Sequence, residues 1–192
     1  MLPATTHDFN LAEDRARVAL HRALAQLELA ERSARPFAMT QSLAALARCY
    51  RRLRAPASAE ATYSAALRWA RASGAADQTV DLLCEMAETA AHHLLELAPA
   101  PDDDPHAGRA ARHAARERAR EHVFEAARLA PTVADGTWEV QVLLRLSDVL
   151  EQCGDHDDAA LLQTRALHLV GGHDDRAADP ARLPRLGRMV DD

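Results

Sequence analysis

Residues 40–73 read TQSLAALARCYRRLRAPASAEATYSAALRWARAS, and the reading of this stretch decides the fold. Leu43, Leu46, Ala47 and Tyr50 recur at intervals of three and four, which puts them on one face of a helix running from about Met39 to Arg54. Pro56 stands where a first helical turn tolerates the missing N–H, and Gly74 supplies a stop, so a second helix is predicted from Pro56 to Ser73. Ala59, Tyr63 and Ala66 share a face of it. Small residues at Ala47, Ala59 and Ala66 let the two helices touch, and the large ones fill the space between them. The unit is a helical hairpin.

Similar punctuation extends in both directions. Asp8 is positioned to cap a first helix from about Leu11 to Ala34, with Leu20, Leu24, Leu27 and Ala30 on its apolar face and Pro36 as its end. A fourth helix is predicted from Asp77, as N-cap, to Leu97, followed by the Pro- and Asp-dense segment APAPDDDPH (98–106). Asp104 and Pro105 read as cap and first turn of a fifth helix ending near Pro131. A sixth helix covers about Thr137 to Gln152, and Cys153-Gly154-Asp155 separates it from a seventh that stops at Gly171-Gly172. Val and Ile form no alternating runs, so no strand is expected. The fold class is all-α, about seven helices joined as antiparallel pairs. Residues 1–10 are expected to be a flexible N-terminus, 11–172 the helical domain and 173–192 a mobile tail rich in Asp, Pro and Arg.

Composition narrows the function. The chain has 192 residues and a formal net charge of -6, against binding nucleic acid by bulk electrostatics. All 23 basic residues are arginine. MLPATTHDFN lacks the basic and apolar regions of a secretory signal, and no apolar run approaches the roughly 20 residues that span a bilayer. Cys49, Cys84 and Cys153 are odd in number and far apart, which suits free thiols in a reducing cytoplasm. No phosphate-binding loop, dinucleotide fingerprint, HExxH or GxSxG is present, so neither catalysis nor a cofactor is expected.

The pattern over residues 40–73 resembles one tetratricopeptide repeat (TPR). A second copy follows at about 140–173, where Leu143, Leu146, Ser147 and Leu150 match the first helix and Ala159 and Ala166 the small positions; Gln163 replaces the usual aromatic. A third, split copy lies at about 77–131: Val80, Leu83, Cys84 and Ala87 resemble a first helix, and Ala119, Val123, Ala126 and Pro131 a second one, with an insertion between. Together they resemble a short bacterial-type TPR array, which implies a right-handed solenoid of stacked helix pairs. The alternative is a non-repeating bundle whose Ala/Leu periodicity imitates the pattern.

The resemblance also implies a function. First helices of such pairs line a groove that holds a segment of another protein, which would make this chain an adaptor, chaperone or regulator. Carried over by position, the groove residues are Gln41, Arg48, Arg51 and Arg52, then Gln78, Asp81, Glu85 and Glu88, then Gln141, Arg145, Asp148 and Glu151. The groove would run from basic to acidic. The asparagines that clamp a carboxylate in chaperone-binding members are missing, since Asn10 is the only one in the chain. Two roles stand open for the arginines: meeting a partner, or pairing Arg48 and Arg52 with Asp81 and Glu85.

Other constellations read as surface. Glu88, His92 and Glu96 lie on one helix face and could ligate a metal between helices four and five. That needs a matching set, to which only His113, Glu117 and Glu121 are similar, and solvated faces explain them more simply. His156-Asp157-Asp158 and His173-Asp174-Asp175 lie at opposite ends of one helix and cannot share an ion; capping by Asp155 accounts for the first set. Arg109, Arg112, Arg116 and Arg120 form a stripe beside Glu117, Glu121 and Glu125, which reads as an ordinary outer face. Helix seven carries Leu161, Leu162, Leu167, Leu169 and Val170, more apolar surface than one neighbour covers, so the tail or a second copy (a homodimer through this helix) is expected to cover it.

Overall fold

Proline and glycine punctuation sets the elements of the computed structural model, which describes residues 6–97, 105–133 and 135–171. Seven α-helices follow one another: α1 (Thr6–Ser33), α2 (Pro36–Arg52), α3 (Pro56–Ala72), α4 (Ala76–Glu96), α5 (Pro105–Leu129), α6 (Gly136–Cys153) and α7 (His156–Gly171). A single 3-10 turn, Ala130–Thr132, follows α5, and the described residues contain no strand. Asp104, most of the 98–106 segment and the 173–192 tail lie outside the described residues.

Several expected boundaries shift for identifiable reasons. The first helix stops at Ser33, ahead of Pro36 as expected, but Pro36 also opens α2, ahead of the expected start near Met39, because proline's fixed φ suits a first turn. The first helix begins at Thr6, so Asp8 lies within it and is not its N-cap. Asp77 likewise falls inside the first turn of α4, whose N-cap is Ala75 with no side-chain bond. A cap that does form is Asp135, whose carboxylate accepts from the backbone N–H groups of Thr137 and Trp138 at 3.0 and 3.1 Å.

Three turns close in one way. Ala55, Ala75 and Asp155 each donate a backbone N–H to the carbonyl five residues back, on Tyr50, Ala70 and Leu150, while the residue before bonds three back. This is the Schellman closure, which needs a left-handed residue at its corner. Gly74 (φ 69°) and Gly154 (φ 78°) adopt that conformation without a Cβ penalty, whereas Arg54 (φ 55°) takes it as a strained side-chain-bearing residue.

The helices pack as adjacent pairs, α2 with α3, α4 with α5 and α6 with α7, and α1 lies against α2. Pairs join through contacts of α3 with α4 and α5 with α6, while α4 touches both α2 and α6. The burial pattern repeats with the pairs. Ala59, Ala119 and Ala159 are fully buried, as are Ala66, Ala126 and, within 1%, Ala166; on the partner helices Ala47, Cys84 and Ser147 do the same. Helix axes approach closely because nothing larger than a methyl, thiol or hydroxyl stands there, and Leu46, Leu83 and Leu146 fill the flanks. The architecture is an all-α, repeat-like series of helix pairs around one large core, with a smaller apolar cluster of Ala23, Leu46 and Cys49 where α1 meets α2.

Candidate functional site

The first helices of the three pairs, α2, α4 and α6, lie in series, and their side chains are joined by charge. Arg48 on α2 grips Glu85 on α4 through two nitrogens, Nε to Oε2 at 2.9 Å and Nη2 to Oε1 at 2.5 Å. One turn on, Arg51 donates to Glu88 at 3.3 Å. Glu88 also accepts from Arg145 on α6, which approaches Asp81 at 4.0 Å. A ladder of ion pairs therefore crosses all three helices. The hydrogen bond to Glu85 raises the Arg48 pKa above its ordinary value. Burial alone would lower that of Arg145, but Glu88 outweighs it and the pKa rises.

Beneath the ladder sits Tyr63, fully buried, with its hydroxyl beside Glu85 but without a well-formed hydrogen bond. Desolvation and the Glu85 carboxylate push its ionisation up, so it remains a neutral phenol. Burial likewise pushes the Cys84 thiol up to about 12. All three cysteines are buried and unbonded to one another.

The twelve predicted face residues thus divide. Arg48, Arg51, Asp81, Glu85, Glu88 and Arg145 are brought together and engaged with one another. Gln41, Arg52, Gln141 and Asp148 are exposed. Glu151 pairs with His156, Oε2 to Nδ1 at 2.6 Å, and Gln78 is half-buried with its Oε1 unsatisfied. Of the pairings anticipated for Arg48 and Arg52 with Asp81 and Glu85, Arg48 with Glu85 forms; Arg52 is exposed, and Asp81 turns to Arg145. The basic-to-acidic gradient is neutralised where the ladder closes.

A second charged cluster differs from the sequence reading. Arg116 and Arg120 on α5 are not merely solvated: both bind Asp155, which is buried in the α6–α7 turn, and Arg120 also reaches Asp158 at 3.2 Å. The Asp155 carboxylate is spent on these arginines rather than on capping α7. Arg120 additionally lies over the Phe124 ring at 5.6 Å. Arg165 on α7 donates to the buried Glu139 at 2.5 Å and to the Ala127 carbonyl at 3.1 Å, a tie that sequence reasoning missed.

Of the metal-ligand candidates, Glu88 is held by Arg51 and Arg145, and Glu96 lies 3.9 Å from Arg54. Among the described residues no three His, Cys, Asp or Glu side chains converge as a metal site, and no helix is long and apolar enough to cross a membrane. A small cavity between α3, α4 and α5, with room for about one water, is lined by Pro56, Met86 and Ala90 together with Tyr63, His93, Arg118 and His122. No family model matches the chain, and no curated protein matches it.

Proposed function

We propose that this chain is a non-catalytic protein–protein interaction module of the tetratricopeptide type that holds an extended or helical segment of another protein along the α2–α4–α6 face. The observation carrying this reading is the division of that face. Its ion-pair ladder fixes the spacing of the three helices, while Gln41, Arg52, Gln141 and Asp148 project from them exposed and with no ion pair to another described residue. The side chains already fixed in the ladder lose little entropy when a partner docks, so the ordering cost falls on the exposed groups, at about 0.5–1.5 kcal/mol for each one immobilised. A cytoplasmic location, suggested by three unpaired thiols, belongs to the same proposal.

The experiment is a pull-down from native extract with the wild-type chain and with Gln41→Glu/Arg52→Glu, both exposed on α2. Changing these two leaves the ladder intact, so thermal stability should stay within about 0.5 kcal/mol per site. Loss of a specific partner at unchanged stability supports the reading. A partner retained with full affinity by the variant places the interface elsewhere. Elemental analysis of the same preparation addresses the rival reading, since stoichiometric iron, manganese or zinc would favour a metal-binding bundle.

A further inference from the structure

The repeat register reveals an uncovered edge. Position by position, Leu167 on α7 corresponds to Leu67 and Ala127, and Val170 corresponds to Ala70 and Ala130, because each lies the same distance beyond Ala159, Ala59 and Ala119. In the first two pairs these positions are covered: Leu67 is 7% and Ala127 6% exposed, and Ala70 and Ala130 are fully buried. In the last pair Leu167 is 71% and Val170 70% exposed. On α6, Leu144 is exposed at the position of Ala44, which is buried, and of Asp81, which reaches forward to Arg145. Asp148 and Glu151 occupy the positions of Arg48 and Arg51, whose side chains reach forward to the next helix. The last pair therefore presents the surface that each earlier pair uses to receive its successor, apolar at Leu144, Leu167 and Val170 and acidic at Asp148 and Glu151.

We propose that residues 182–190 of this same chain cover that edge, with Leu183, Leu186, Met189 and Val190 on the apolar positions and Arg182, Arg185 and Arg188 toward Asp148 and Glu151. These residues lie outside the described part of the structure. Charge selects them. A second copy packing the same edge by two-fold symmetry would set acid against acid, whereas 182–190 holds three arginines and no acid. Reach permits it: the twelve residues from Gly172 to Leu183 span up to about 40 Å extended, against roughly 24 Å for the 16 residues of α7. Covalent attachment also raises the effective concentration to about the millimolar range.

The test uses the full chain and the variant Arg182→Glu/Arg185→Glu/Arg188→Glu, comparing amide hydrogen exchange over residues 160–171 with solution mass measured alongside. Exchange in the last two turns of α7 should quicken about tenfold in the variant, and adding Asp148→Arg should restore part of the protection. The reversed residues lie beyond α7, so loss of the domain's helical signal is not a route to the same result. Unchanged exchange overturns the proposal. So does a full-length dimer whose α7 protection falls on dilution, which would assign the edge to a second copy.

Discussion

Ala66→Leu tests the architecture where it is least forgiving. Ala66 is fully buried on α3, in the pair that α3 forms with α2, and Ala126 and Ala166 stand at the same position in the later pairs. Leucine adds three carbon atoms at a point where the α2–α3 packing leaves no exposed surface, so either the helix axes separate or a neighbour leaves its rotamer. Overpacking of this kind costs about 1–3 kcal/mol. For a chain of this size each kcal/mol moves Tm by roughly 2–4 °C, so a fall of several degrees is expected. Ala57→Leu, at the exposed second residue of the same helix, is the control and should stay within about 0.5 kcal/mol. Thermal and urea melts followed by circular dichroism give both values. Ala59→Leu should behave as Ala66→Leu does. Equal tolerance at positions 57, 59 and 66 would refute the argument that close helix approach at small residues builds the pairs.

Three further outcomes follow from the turns and charges. Asp155→Ala should destabilise by about 2 kcal/mol, since it leaves Arg116 and Arg120 without their shared buried carboxylate, whereas Asp158→Ala, which spares Asp155, should cost less in the same urea melt. Arg54→Gly should stabilise by up to about 1 kcal/mol, because glycine relieves the left-handed corner that Gly74 and Gly154 already occupy freely; a lower Tm would show that the Arg54 side chain matters more than its backbone. Burial lowers the His122 pKa, with Glu60, Glu121, Glu125 and Arg118 around it. Below the unfolded pKa of about 6.5 the unfolded chain therefore binds the proton more readily, and stability falls as pH drops from about 7 toward the lowered folded value. His122→Gln should flatten that slope in melts between about pH 7 and 5.

The sequence made the pairs legible because their determinants are local. Pro56 and Gly74 bound a helix wherever the rest of the chain goes, and alanine at positions 47, 59 and 66 marks closeness by its size alone. Pro36 is ambiguous in the sequence, since proline follows the end of one helix and opens another with equal ease, and here it does both. The charge ladder was half visible. Arg48 with Glu85 was among the expected pairings, whereas Arg51 with Glu88 was not, although each pair shares one repeat position with opposite charges in register. Arg145 has no such counterpart, because its partners Asp81 and Glu88 stand at other positions. Asp155 was hidden for a different reason: an acid before a helix reads as a cap, and nothing local reveals two arginines arriving from residues 116 and 120.

Arg145 is where the ladder should prove cooperative. It is the member on α6 that reaches back to α4, while Glu88 takes Arg51 from the other side. Removing Arg145 leaves Glu88 with one partner and Asp81 with none, and it loosens the last pair from the second. A hydrogen bond to a charged group contributes about 1.5–3 kcal/mol, but the Arg145 and Glu88 side chains are 36% and 30% exposed, so solvent screening brings the expected cost of Arg145→Ala to about 1 kcal/mol. The loss should be local, appearing as faster hydrogen exchange in α6 and α7 with little change in α2 and α3. Glu88→Gln alone breaks both of the charge pairs that Glu88 makes. Combining it with Arg145→Ala should then cost less than the sum of the two, by at least about 0.5 kcal/mol. Additive losses in that double-mutant cycle would mean the two side chains are close without being coupled, and the ladder would then end at α4 instead of reaching α6.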